Sequence, residues 1–156
     1  SIVPTGVELI TGDFRDTVFA REDGNIIQKN NPNKVFGGKV IDLGRDSYFS
    51  DHKDNKMLRV SDYDGKETAM HHINGKNEYC LNSAVLEADV IINLCKPKTH
   101  RIAGYTGAMK NLIGMNSRKE YLPHHTKGHK DCGGDEYNRG YVFVKRIICF
   151  FLGISK

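Results

Sequence analysis

The run Asp89-Val90-Ile91-Ile92-Asn93-Leu94-Cys95 constrains this chain more than any other stretch. Its β-branched side chains are stiff at χ1 and suit a pleated surface, and it shows no apolar–polar alternation. A strand apolar on both faces is normally central, covered on both sides as in a parallel sheet. The chain then changes character abruptly. Lys96-Pro97-Lys98-Thr99-His100 is charged, and Pro97 breaks any ladder and biases Lys96 to an extended form, so this stretch is expected to be a loop. Upstream, Ser83 can cap a short helix over "AVLEA". Downstream, Thr106 can cap "GAMKNLI", with Gly114 placed to end it. The order helix, strand, basic loop, helix predicts an α/β fold: a mixed or mostly parallel sheet flanked by helices, incomplete at one or both ends. Such folds bind ligands at the carboxyl ends of their strands.

The remaining elements are weaker. "GVELIT" (6–11), "GKVIDLG" (38–44) and the start of "LRVSDYDG" read as strands, and "HHINGKNEYCL" as a hairpin turned at Asn74-Gly75. Residues 13–33 are polar and broken by the turn clusters "REDGN" and "KNNPNK", and "SYFSDHKDNKM" is a charged loop. At 156 residues the chain suits a single α/β domain over 1–156. The first residue is not Met and the apolar tail "YVFVKRIICFFLGISK" stops abruptly, which points to a fragment of a longer protein. The uninterrupted part of that tail, Ile147 to Ile154, is far short of the about 20 residues a spanning helix needs, so no membrane span is expected. The N-terminus lacks the basic and apolar regions of a signal peptide.

A net charge of +4 and a pI near 8.8 are too mild for a nucleic-acid partner but fit local attraction of anions. Cys80, Cys95, Cys132 and Cys149 are scattered with no C-x-x-C pair, which excludes a zinc ribbon or a ferredoxin-type cluster and favours reduced thiols in the cytoplasm.

The loop and helix start together suggest an anion site. Lys96, Lys98, Thr99 and His100 arrive from the strand end. Thr106, Gly107, Lys110 and Asn111 surround a helix N-terminus, whose free N–H groups and dipole attract negative charge. Gly104 and Gly107 would let backbone approach a ligand closely. The pattern is neither a Walker A loop, since Ala108 follows Gly107 and Asn111 follows Lys110, nor a dinucleotide fingerprint, whose spacing "GYTG" lacks. The expected ligand is a small anionic molecule of phosphate or carboxylate type. The plainer alternative is a solvated basic loop before a surface helix. No cofactor is specified. Cys95 could be a thiolate activated by nearby lysines or an inert buried thiol.

Residues 116–140 form a long stretch with no clear element, rich in Lys119, His124, His125, His129, Cys132, Asp135 and Glu136. Histidines titrate near neutrality, so His124 or His125, like His100, could move a proton. Metal ligation and a merely structural role stand as alternatives, although the spacing is not H-E-x-x-H. His71 and His72, if on a strand, would point to opposite faces, so at most one could join a site.

The segment "ADVIINLCKPKTHRIAGYTGAMKNLIGMNSRKEYLPHHTKGHKDCGGDEY" resembles the family of the domain of unknown function numbered 362. The shared features are a strand, a Pro-Lys-x-Lys-Thr-His loop and a Gly-x-Thr-Gly-Ala-x-Lys-Asn helix start, with the branch carrying Leu-Pro-His-His and Gly-Gly-Asp-Glu-Tyr the most similar. The match is clear over about 79–137. One departure is Cys95, which stands where the family usually has proline. The resemblance implies an α/β domain, sometimes joined to iron–sulfur modules whose cluster cysteines are absent here, and members about twice this length. It implies no reaction. An iron–sulfur or metal-associated electron-transfer or cofactor-handling protein, and a non-catalytic partner-binding module, therefore stand beside the anion-binding reading.

Overall fold

A computed structural model describes residues 6–52, 55–60, 63–100, 103–128 and 133–135. Turn chemistry shapes it first. Asp23 and Gly24, with φ of 48° and 80°, close β1 (Thr17–Glu22) onto β2 (Asn25–Asn30), pairing Thr17 with Asn30 and Glu22 with Asn25. Positive φ at both central residues gives a two-residue turn the twist of its strands. The "REDGN" turn is thus present, but the strands on either side of it carry too few apolar residues to announce themselves.

The other strands also pair in twos. β3 (Gly38–Asp42) joins β5 (Glu78–Asn82). β4 (Leu58–Arg59) runs antiparallel to β8 (His125–Thr126), and β6 (Lys98–His100) antiparallel to β7 (Gly104–Thr106). Three short helices accompany them: α1 (Gly65–Met70), α2 (Ser83–Glu87) and α3 (Ala108–Leu112). Among the described residues there is no parallel sheet flanked by helices, so the α/β expectation is overturned. The reason lies in Val90–Leu94. That run forms no ladder, and Val90, Ile91, Ile92 and Leu94 are 75%, 50%, 77% and 87% exposed. Parallel neighbours need a long crossover, whereas the basic stretch after it folds straight back on itself as the β6–β7 hairpin.

Smaller corrections share a cause, the choice of cap and turn partner. Residues 6–11 form no strand, and Val7, Leu9 and Ile10 are exposed. Asn74 and Gly75 do turn the chain, with φ of 58° and 80°, but they link α1 to β5 instead of two strands. Asn82, one residue before Ser83, caps α2 by accepting the Ala84 N–H at 3.1 Å. Gly107 occupies the N-cap of α3 while Thr106 belongs to β7, and Gly114 sits inside the 3-10 turn Ile113–Met115 that extends the helix.

The chain divides into two compact units, Ser1–Val40 with Cys80–Arg118, and Ile41–Tyr79 with Lys119–Lys156. In the first, buried Asn82 donates through Nδ2 to Phe14 O at 3.2 Å and Val35 O at 3.0 Å, tying three segments together. Gly38 permits close approach there: a Cβ would lie 2.5 Å from Cys80 Sγ and 2.9 Å from Ser117 Cβ. In the second unit Leu58, Thr68 and His72 are fully buried. Among the described residues no helix is long and apolar enough to cross a membrane.

Candidate functional site

The basic segment lies wholly in the first unit. Strand alternation puts Lys98 and His100 on one face of β6, with Thr106 and Gly104 opposite them, and Thr99 with Tyr105 on the other face. Thr106 Oγ1 reaches back to Lys98 O at 3.5 Å. Gly104, with φ of 75°, takes the turn conformation that favours glycine. His100 Nδ1 accepts the Ala103 N–H at 3.2 Å, so in the neutral ring the proton sits on Nε2, a donor. Lys96, Lys98, Thr99 and Lys110 are exposed. Tyr105 folds over Gly107, and a Cβ at that position would lie 3.2 Å from Tyr105 Oη.

Asn111 is placed differently from expectation. Its Nδ2 donates to Asn93 Oδ1 at 2.7 Å, and Asn93 Nδ2 donates to Ala108 O at 2.8 Å. The pair ties α3 to the apolar run. Beside it is a hollow of about 430 Å³ lined by Phe14, Val85, Ala88, Ile91 and Met115. The Cys95 thiol is half-buried and that of Cys80 buried.

Lys119, His124 and His125 belong to the second unit. Lys119 opens a 3-10 turn, Lys119–Tyr121. His124 is exposed, and its N–H donates to Arg59 O at 2.9 Å. His125 lies on β8 opposite Arg59, its ring 5.9 Å from that of His124 and perpendicular to it. The next residue closes the ladder: Thr126 N–H donates to Asp135 Oδ1 at 2.6 Å, and Thr126 Oγ1 contacts His52 Nε2 at 3.2 Å. His129, Cys132 and Glu136 lie outside the described residues. Among the described residues no three His, Cys, Asp or Glu side chains are grouped to hold a metal ion.

The histidines that sequence reasoning discounted are the best organised. They stand at the C-terminal end of α1, not on a strand. His71 Nδ1 meets Glu78 Oε2 at 2.9 Å, and its ring stacks on Tyr121 with centroids 3.5 Å apart. That bond, aided by Lys76, holds the Glu78 carboxyl below the usual range. His72 is enclosed by Phe49 and Tyr79. Its Nδ1 lies 3.0 Å from Asn77 Oδ1 and its Nε2 2.8 Å from Tyr121 O. Asn77 cannot be turned round without loss, because its Nδ2 already donates to Gly44 O at 2.9 Å. Both partners of His72 are amide carbonyl oxygens, which accept. Around this core, burial pushes the Tyr79 hydroxyl up, partly offset by its bond to Ser47. The Asn77 and Gly44 N–H groups hold the Asp42 carboxyl down. No spacing in the sequence announces this network, since its partners are brought from residues 42–49, 77–79 and 121.

The described molecule is thus a set of two-stranded ladders and short helices, with a basic hairpin in one unit and a histidine-centred polar core in the other. The chain belongs to the family described as the domain of unknown function DUF362, whose model matches residues 34–154. No curated protein and no solved structure matches it.

Proposed function

We propose that the chain binds a small anionic molecule on its basic hairpin, with Lys96, Lys98 and Lys110 supplying charge and Thr106 and the backbone at Gly107 supplying hydrogen bonds. One observation carries this reading. From Val90 to Lys119 the sequence contains no Asp or Glu, and among the described residues no carboxylate comes within 4.0 Å of Lys96, Lys98 or Lys110. Uncompensated cations on a formed hairpin raise the local concentration of anions, and charge-assisted bonds to phosphate or carboxylate oxygens are about twice as strong as neutral ones. His100, whose Nδ1 accepts the Ala103 N–H at 3.2 Å, lies on the same face of the hairpin as Lys98. Lys119, His124 and His125 are held in the other unit and do not enter the reading.

The test is a titration of the chain with inorganic phosphate and pyrophosphate, followed by amide chemical shifts. Saturable shifts at residues 98–107, weakened about tenfold by a Lys98→Ala, Lys110→Ala double substitution, are expected. Absence of shifts there, or shifts indifferent to the double substitution, would sink it.

A further inference from the structure

The second unit carries a groove of about 420 Å³ that the basic hairpin does not use. Its lining combines Lys56, Arg59 and Lys66 with Ala69, Met70 and Ile73, and among the described residues no acidic one lines it. The helix makes this combination. Lys66, Ala69, Met70 and Ile73 follow the i, i+3, i+4, i+7 spacing and so share one face of α1 and the turn that continues it. Asp64 fixes the start of that helix, its carboxylate accepting the Lys66 N–H at 2.8 Å.

Arg59 is held ready at one wall. Its Nη1 donates to Lys56 O at 2.7 Å and Leu58 O at 2.6 Å. The rest of the side chain lies against Gly65, where a Cβ would come within 2.4 Å of Arg59 Cδ, 2.5 Å of Nε and 2.6 Å of Cζ. Only glycine leaves room for the guanidinium in that position. Among the described residues Arg59 Nε and Nη2 donate to no acceptor, and no carboxylate lies within 4.0 Å of Arg59 or Lys66. The floor beside these cations is apolar and open, with Met70 67% exposed.

We propose that this groove binds an amphipathic organic anion: a carboxylate held by Arg59 and Lys66, with an alkyl chain lying along Ala69, Met70 and Ile73. A bare inorganic anion would leave the apolar floor wet. A neutral alkane-like molecule would leave two cations unpaired and partly desolvated. A ligand with both parts satisfies both walls. The planar Arg fork matches a carboxylate through two parallel N–H donors, and the volume falls in the range of about 300–1,000 Å³ typical of small-molecule sites.

Titrating the full chain with sodium octanoate, 1-octanol and inorganic phosphate tests this, read by calorimetry and by the amide shifts of residues 65–73. Octanoate is expected to bind with shifts confined to those residues, octanol and phosphate at least about tenfold more weakly. Arg59→Gln should weaken octanoate by about tenfold. Lys66→Gln, on an exposed side chain that leaves the fold intact, should weaken it severalfold. Gly65→Ala, which displaces the guanidinium, should act in the same direction as Arg59→Gln. The Lys98→Ala, Lys110→Ala chain should bind octanoate unchanged, which separates this site from the hairpin. Equal binding of octanol, equal binding of phosphate, no binding of octanoate, or octanoate affinity indifferent to both Arg59→Gln and Lys66→Gln each overturns the proposal.

Discussion

The two units differ in which side chains they enclose, although among the described residues both bury more polar than apolar groups. In the second unit the described buried residues are Leu58 and Val60 with Ser47, Thr68, Asn77, Glu120 and His72, whose ring is bonded at both nitrogens. In the first, the described buried residues are Asn31, Asn82, Asn116 and Ser117 with Cys80, while Val90, Ile92 and Leu94 face water. Burial of apolar surface is the main favourable term in folding, and the second unit holds the largest fully buried apolar side chain, Leu58. The first relies on polar tethers such as Asn82 and leaves apolar surface and cations outside. What is left outside is what can be used for binding. Contiguous exposed apolar residues on a protein surface commonly mark a contact face.

The largest expected effect separates the units directly. Leu58→Ala removes a fully buried side chain and should cost about 2–5 kcal/mol of stability. Ile92→Ala, at a side chain 77% exposed, should stay within about 0.5 kcal/mol. Urea unfolding of the two variants measures both. Comparable losses would break the contrast, because Ile92 would then be covered in solution.

A somewhat smaller effect comes from the polar networks. His72→Gln keeps a donor for one of the acceptors Asn77 Oδ1 and Tyr121 O and orphans the other, which should cost about 1–3 kcal/mol. Asn93→Ala breaks the corresponding tether of the first unit, the bonds to Ala108 O and from Asn111 Nδ2, but in an exposed place where water substitutes. Its cost should stay below about 0.5 kcal/mol. A loss for Asn93→Ala equal to that for His72→Gln, in the same unfolding experiment, would show that the apolar run is anchored more firmly than its exposure indicates.

Legibility in the sequence divides along the same line. The turn at Asn74-Gly75, a short helix after Asn82 and the basic character of residues 96–110 all depend on near neighbours, and all are present. The parallel sheet depended on strands that would have to come from elsewhere to flank Val90–Leu94, and local composition cannot supply them. The sequence reads Lys96–His100 as a loop ending a strand, but Val90–Leu94 forms no ladder and Lys98 starts β6, because Gly104 turns the chain back within reach. The His72 network escaped for a similar reason. Adjacent histidines look alike in a sequence, and only the return of Asn77 and Tyr121 to α1 distinguishes the buried ring from its stacked neighbour. The Arg59 groove needs a glycine and an arginine six positions apart to meet across a turn, which no periodicity encodes.

The smallest expected effect is on acid titration, where the units differ in which partner does the work. In the first, the Arg15 guanidinium bonds the Asp13 carboxylate and lowers its pKa to about 2. In the second, His71 and then Lys76 lower that of Glu78. Both folded values lie below the ordinary values of about 3.9 for Asp and 4.3 for Glu. Each group's contribution is therefore complete above its unfolded value and is lost as the pH falls through its folded one. For Asp13 that window runs from about pH 4 down to about pH 2. The pair is at the surface, so the stability involved is a few tenths of a kcal/mol, screened further by salt. Carboxyl chemical shifts read it without depending on unfolding. Asp13 should titrate near 2, Arg15→Gln should return it toward about 3.9, and His71→Gln should raise Glu78 while leaving Asp13 untouched. If Asp13 and Glu78 both titrate at ordinary values in the unsubstituted chain, these two pairs are not held in solution, and the electrostatic part of the contrast between the units fails with them.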